Sequence, residues 1–92
     1  MVTSGQKAVT TAGTAVVLGT EVIQGGLMVK ALAANTGLVF IGNDGADDVA
    51  AANGMQLTAK EEVIFPWISG LENLWIDSAV NGEGVAWIRL TP

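Results

Sequence analysis

Turn-forming residues interrupt this sequence so often that no segment is long enough for a helix of useful length. Glycine, asparagine and proline separate short apolar segments at spacings of about 8 to 12 residues, which is typical of β-sandwiches and small barrels. Outside an alanine-rich loop, no ten-residue segment shows the 3.6-residue apolar period of a helix. We therefore exclude an α/β fold and predict an all-β chain, a small antiparallel β-sandwich or barrel of roughly seven or eight short strands.

Individual strands are predicted between these turns. Residues 27–42 are expected to form an antiparallel hairpin, and residues 74–90 a second one. The segment Glu62–Phe65 is a strand that must end or lie at a sheet edge, because Pro66 has no N–H to donate. Residues 14–18 are predicted as a further strand that ends at Gly19, and weaker strand patterns cover residues 7–11 and 55–58.

The size and low charge of the chain predict a single domain that contacts other proteins. Half of its 92 residues are apolar and only 14% are charged, against about 25% in typical globular domains. Residues 7–92 are predicted to form one β-sandwich domain, preceded by a flexible N-terminal arm over residues 1–6. So small a domain cannot hide all of its apolar residues, so we expect some of this surface to contact another protein.

Charge and residue content exclude several other partners. The net charge of −5 leaves no basic stripe for nucleic acid. No apolar run approaches the ~20 residues of a membrane span, and residues 1–20 lack a signal-peptide pattern. We therefore expect a chain that is made in the cytosol and binds neither nucleic acid nor membrane. Without cysteine, its stability must come from packing or from oligomerisation.

The chain has few residues that support catalysis. It contains neither histidine nor cysteine, which excludes imidazole and thiolate chemistry, and its serines have no nearby base. Asp77 and Glu83 flank one turn and suggest a glycosidase pair, but no insertion builds a cleft around a sugar, so solvated turn residues are the favoured interpretation. We expect no enzyme activity and no cofactor.

An acidic loop suggests a cation site. Residues 42–55 form the longest irregular segment and contain Asp44, Asp47 and Asp48. The spacing lacks the alternating oxygen donors and the final glutamate of an EF-hand. A solvated loop is therefore favoured, and calcium binding within residues 44–48 stays open as the alternative.

The chain contains three tryptophans, Trp67, Trp75 and Trp87, and they suggest either sugar stacking or packing in a core or subunit interface. If Ile76 and Ile88 face the core, the two tryptophans of the 74–90 hairpin lie side by side outside, with a charged rim. The inverse register places both inside. The candidate interface residues are Trp75, Trp87, Arg89, Asp77 and Trp67, together with Met1, Val2 and Thr3 of the arm.

Four stretches of the chain resemble the small all-β virion modules of tailed bacteriophages. They are KAVTTAGTAVVL at 7–18, MVKALAANTGLVFIG at 28–42, NGMQLTAKEE at 53–62 and LWIDSAVNGEGVAWI at 74–88. Such modules occur as capsid decoration (cement) proteins and as domains of head-fibre and tail proteins. The resemblance covers most of the chain, and it rests on glycine turns and strands.

The resemblance implies a non-enzymatic β-sandwich, often of jelly-roll type, with no catalytic residues. A decoration protein of this kind forms homodimers or homotrimers and binds the major capsid protein on the outer surface of the virion head. There it stabilises the shell by bridging coat subunits. The alternative is a head-fibre or tail module that binds a host receptor or a carbohydrate, in which exposed tryptophans stack on sugars.

Overall fold

The computed structural model describes residues 4–43 and 54–90 of the chain. These residues contain eight β-strands and one 3₁₀ turn, Leu71–Asn73. The strands are β1 Ser4–Ala8, β2 Val16–Val17, β3 Val22–Ala31, β4 Val39–Gly42, β5 Met55–Leu57, β6 Glu62–Gly70, β7 Trp75–Ser78 and β8 Gly84–Arg89. The predicted all-β fold is thereby confirmed.

The strands form two four-stranded sheets in which every pairing is antiparallel. In the first sheet the order is β1-β8-β3-β6, and in the second it is β2-β7-β4-β5. Each sheet contributes alternate side chains to the space between them, as expected for a β-sandwich. The architecture is therefore a small antiparallel β-sandwich.

One apolar core joins the two sheets. Leu27, Val29 and Ala31 of β3 are fully buried, while the residues between them, Met28 and Lys30, point to the other side of the sheet. The second sheet contributes the buried residues Val39, Ile41, Leu57 and Ile76 to the same cluster. This alternation leaves the outer face of the first sheet open to solvent.

The two predicted hairpins are wrong. β3 and β4 lie in different sheets, and so do β7 and β8, so each connection crosses from one sheet to the other. The buried Asn35 ties the two crossings together, because its Nδ2 donates to the Gly84 carbonyl oxygen at 2.9 Å and its Oδ1 accepts from the Gly84 N–H at 3.4 Å. Turn residues mark both kinds of connection, so local sequence does not separate them.

The two edge strands of the first sheet, β1 and β6, have other boundaries than the sequence predicts. Residues 4–6, predicted as part of a flexible arm, belong to β1 and pair with β8, while residues 1–3 lie outside the described residues. β6 continues through Pro66, as it can because β6 is an edge strand. A β-bulge there sets Pro66 and Trp67 opposite the single residue Gly26.

Candidate protein-binding surface

An apolar row crosses the outer face of the first sheet. Met28 of β3 pairs with Ile88 of β8 on one side and with Ile64 of β6 on the other. The exposed fractions of Ile64 and Ile88 are 52% and 38%, and Met28 is half-buried between them. We call Ile64, Met28 and Ile88 the apolar row. Contiguous exposed apolar side chains of this kind mark surfaces that bind other proteins.

A polar row runs beside the apolar row on the same face. Gln6, Ala86, Lys30 and Glu62 pair across the four strands in that order. Lys30 and Glu62 are both exposed, and they are the only charged residues at the paired positions of this face. A shallow depression of about 150 Å³ lies between the rows, over Met28, Lys30 and Ala86.

The structure separates Trp75 from Trp87, because β7 and β8 belong to different sheets. Trp87 is only 8% exposed and belongs to the core, where its ring packs against Gly5. Trp75 is half-buried on β7, on the side of the second sheet away from Ile76 and the core. The predicted pair of adjacent outer tryptophans is therefore not formed. Trp67, in contrast, is 65% exposed at the bulge of β6.

The predicted charged rim is not formed either. Asp77 is 6% exposed, and its Oδ1 accepts the N–H groups of Gly13 at 3.0 Å and Ser78 at 2.8 Å. Arg89 pairs with the core residue Leu27 and so points to the inward side of the first sheet. Its Nε is buried without a hydrogen-bond partner in the described structure. The remaining candidate interface residues, Met1, Val2 and Thr3, lie outside the described residues.

The edges of both sheets are protected against pairing with a further strand. On the edge strand β1, Lys7 lies opposite the core residue Val85 and so points to the inward side. On β6 the edge is interrupted by Pro66 and the bulge. The edge strands of the second sheet, β2 and β5, have only two and three residues. Inward lysines, prolines, bulges and short strands all oppose edge-to-edge association. Association is therefore favoured through a sheet face.

Glu83 holds a neighbouring connection in place. Its Oε2 accepts from the N–H of Thr36 at 2.7 Å and from the Thr36 hydroxyl at 2.9 Å, and its Oε1 accepts from the N–H of Gly37 at 3.0 Å. These bonds, led by that of Gly37, lower the pKa of Glu83 below its usual value. A glycosidase acid needs a raised pKa, so the suggested pairing of Glu83 with Asp77 has no support in this geometry.

Replacing Glu83 by glutamine is expected to lower the melting temperature at neutral pH, because the charged acceptor of three hydrogen bonds is lost. A carboxyl whose folded-state pKa is depressed stabilises the fold above its unfolded pKa, near 4.5, and loses that effect as the pH falls through the folded value. The difference between Glu83→Gln and the unsubstituted protein should therefore be complete above about pH 4.5 and shrink as the pH falls below that value.

Thermal melts followed by circular dichroism between pH 7 and pH 3 measure this effect. Glu72→Gln, at an exposed position of the 3₁₀ turn, is the matched control, and we expect a much smaller change at either pH. If Glu83→Gln lowers the melting temperature equally at both ends of the pH range, the stabilisation by the Glu83 hydrogen bonds does not depend on the carboxylate charge.

Neither a cation site nor a membrane span is found in the residues that the structure describes. Residues 4–43 and 54–90 contain no group of three or more acidic side chains placed to hold a metal ion. The predicted acidic loop, residues 44–48, lies outside them, so its binding of calcium remains a prediction. No helix in the same ranges has the length and hydrophobicity needed to cross a membrane.

Comparison with known proteins returned no relative. Neither the protein-family models, nor the curated proteins, nor the solved structures include a significant match to this chain. The functional interpretation therefore rests on the residues and on the surfaces described above.

The apolar row was not among the residues predicted for an interface. The alternation of residues 27–32 does place Met28 and Lys30 on one side of β3, which is the signal that could have found them. Ile64 and Ile88 join them only because β6 and β8 are both neighbours of β3. That neighbourhood is a property of the sheet order.

Proposed function

We propose that this chain is a non-enzymatic structural protein of a tailed-phage virion, a decoration protein that binds the outside of the assembled head and bridges coat subunits. One observation carries the proposal: Trp67 and the apolar row are exposed apolar side chains on the surface of a β-sandwich whose sheet edges are protected against pairing. The resemblance to small all-β virion modules supplies the kind of partner. The carboxylates that the catalytic alternative needs, Asp77 and Glu83, support loops instead.

Stabilisation of a shell follows from mass action. A protein that binds the assembled state but not its separated subunits lowers the free energy of the assembled state, and the effect grows with its free concentration. Each copy contributes a small contact, but a copy that spans neighbouring coat subunits gains affinity from its second contact. Weak individual contacts are therefore compatible with firm decoration of a head.

Trp67 is the side chain that we expect to contribute most to binding the shell. Exposed tryptophans are frequent hot spots, and this one lies on an edge strand where no neighbouring strand covers it. Trp67→Ala is expected to weaken binding to assembled heads by about tenfold or more. The measurement is co-sedimentation of the purified protein with undecorated heads of the phage that encodes it, across a concentration series.

Val80→Ala is the matched control, because Val80 is also an exposed apolar residue but lies in the connection between β7 and β8. We expect it to bind as the unsubstituted protein does, and both variants to retain the β-sheet circular dichroism spectrum. Failure of the unsubstituted protein to pellet with heads, or equal binding to unassembled coat subunits, would contradict the proposal.

The exposure of Trp67 also supports the alternative, a receptor-binding or carbohydrate-binding module. A sugar platform usually needs more than one ring, and here Trp87 is buried and Trp75 half-buried. We therefore favour the decoration protein. Quenching or a blue shift of Trp67 fluorescence on addition of host surface glycans, with loss of the signal in Trp67→Ala, would support the alternative instead.

A further inference from the structure

We infer that β1 covers a strand-binding site on β8, and that an extended segment of a partner protein binds there after displacing β1. β1 lies at the edge of the first sheet and pairs with β8. The site is the edge that β8 presents once residues 4–7 have separated from it. The inference goes beyond the proposed function and does not rest on it.

β1 is held on the sheet without an apolar side chain in the core. Gly5 and Lys7 pair with the core residues Trp87 and Val85, so they lie on the inward side, and both are half-buried. Among the eight strands that the structure describes, β1 alone has no apolar side chain in the core cluster or packed against it. Segments with few buried apolar contacts open locally at a fraction of the free energy of global unfolding. β1 is therefore the strand that separates most easily.

The separation ends at Val9, which follows β1 and is fully buried. Its N–H donates to the Glu83 carbonyl oxygen at 2.8 Å, and its own carbonyl oxygen accepts a hydrogen bond of 2.7 Å from the N–H of Gly82. These contacts hold the end of β1 in place, so only residues 4–7 leave β8. The residues opposite them, 85–88, then present an unpaired strand edge.

The two inward positions of β1 define the partner. A Cβ at the position of Gly5 would lie 3.0 Å from Cζ2 of the Trp87 ring, so this position selects glycine. The position of Lys7 lies opposite Val85, where an apolar side chain would add to the core. In the direction of β1, the site therefore fits an extended segment in which glycine is followed, two residues later, by a β-branched apolar residue.

The protection of this sheet edge belongs to β1 and leaves with it. The inward Lys7 opposes pairing with a further strand while β1 is in place. Residues 85–88 beneath it are valine, alanine, tryptophan and isoleucine, with neither a charge nor a proline. An edge of this composition can bind an extended peptide through its backbone hydrogen bonds. The site is therefore open to a partner only when β1 is displaced.

The partner competes with a strand that is tethered to the site. A short tether gives β1 an effective concentration in the millimolar range, which favours the closed state. A partner with isoleucine or valine at the position of Lys7 gains the burial of that side chain, which strengthens binding by roughly 10- to 100-fold. The apolar residue is therefore what allows a separate segment to replace β1.

A peptide titration followed by NMR tests the site. The probe is a synthetic, end-capped peptide with the sequence of residues 3–8, in which isoleucine replaces Lys7. Added to the ¹⁵N-labelled full chain, it should shift the amide resonances of residues 85–88 and leave those of β6 unchanged. We expect it to bind about tenfold more tightly than the same peptide with lysine. The net charge of −5 attracts the lysine peptide, so this preference cannot come from charge.

Two variants of the full chain change the availability of the site. Gln6→Cys with Ala86→Cys places cysteines at directly paired positions, where the Cα separation suits a disulfide. The chain has no other cysteine, so oxidation locks β1 onto β8; peptide binding should disappear and return on reduction. Gly5→Val presses a side chain against the Trp87 ring, so it should loosen β1 and strengthen binding several-fold. Circular dichroism checks that both variants are folded.

A second peptide tests the glycine position. It carries valine in place of Gly5 as well as isoleucine in place of Lys7, and the contact with the Trp87 ring should prevent it from binding. Because it is more apolar than the probe, non-specific hydrophobic binding would favour it. Its failure to bind would therefore show that the site recognises the glycine.

Four results would overturn the inference: no binding of the probe at millimolar concentration, equal binding of the isoleucine and lysine peptides, binding that survives the disulfide, or shifts confined to other strands. The outcome is separable from the proposed function. A chain that binds the probe but does not co-sediment with heads contradicts the decoration alone. A chain that co-sediments but does not bind the probe contradicts the strand-binding site alone.

Discussion

Replacing Gly84 by alanine is expected to destabilise the fold by about 3 kcal/mol or more, a large fraction of the total stability of a small domain. A Cβ at this position would overlap the carbonyl oxygen of Lys7 and lie 2.8 Å from the Cα of Ala8. These are backbone atoms of the paired strand β1, so they cannot move without breaking its ladder with β8. Equilibrium urea denaturation measures the loss.

The hydrogen bonds of Gly84 prevent it from moving to relieve the overlap. Its carbonyl oxygen accepts from the N–H of Leu32 at 3.1 Å as well as from the Asn35 side chain. Gly82→Ala is the matched control, because a Cβ at Gly82 meets nothing within 4 Å although its φ of +82° is unfavourable for alanine. That strain costs about 1 to 2 kcal/mol. Equal losses in the two variants would contradict the steric explanation.

Asp77→Ala is the second substitution with a large expected effect, a loss of about 2 to 3 kcal/mol. The Asp77 carboxylate accepts two backbone N–H groups, one from Gly13 and one from Ser78, and so attaches the loop before β2 to the second sheet. Alanine would leave both donors without this acceptor, and Ser78 is buried. Buried donors that lose their acceptor retain the full cost of desolvation.

Asp77→Asn is the control for charge, because the amide oxygen can still accept from both N–H groups. We expect it to lose less than half as much stability as Asp77→Ala in the same urea titration. If the asparagine and alanine variants are equally destabilised, the effect comes from the negative charge of Asp77 and not from its hydrogen bonds.

The strands could be predicted because their signals are local. The two-residue alternation of faces in 27–32 corresponds to β3, and the turn residues 81–84 correspond to the connection that leads into β8. Pro66 also indicated that its strand, β6, lies at a sheet edge, since a residue without an N–H is tolerated on an edge strand. Each inference needed only a few neighbouring residues.

The pairing of the strands could not be predicted in the same way. A turn between two strands is compatible with a hairpin or with a crossing between sheets, and both predicted hairpins proved to be crossings. The contact that ties the crossings together, between Asn35 and Gly84, joins residues 49 positions apart. Nothing near Asn35 in the sequence shows that its carboxamide is buried against a distant backbone.

The candidate surface was affected by the same limitation. Assigning Trp75 and Trp87 to one hairpin predicted a shared aromatic patch, but their strands lie in different sheets and Trp87 fills the core. The apolar row of Met28, Ile64 and Ile88 is assembled from three separate strands. Such a surface depends on sheet order, whereas the exposure of Trp67 depends on a single bulge.

The proposal that this chain decorates a phage head is tested most directly by locating it on particles. Purified virions of the phage that encodes it, labelled with a gold-conjugated antibody against the chain, can be examined by negative-stain electron microscopy. We predict dense labelling over the whole surface of the head. Labelling confined to a single vertex or the tail, or none on intact particles, would contradict the proposal.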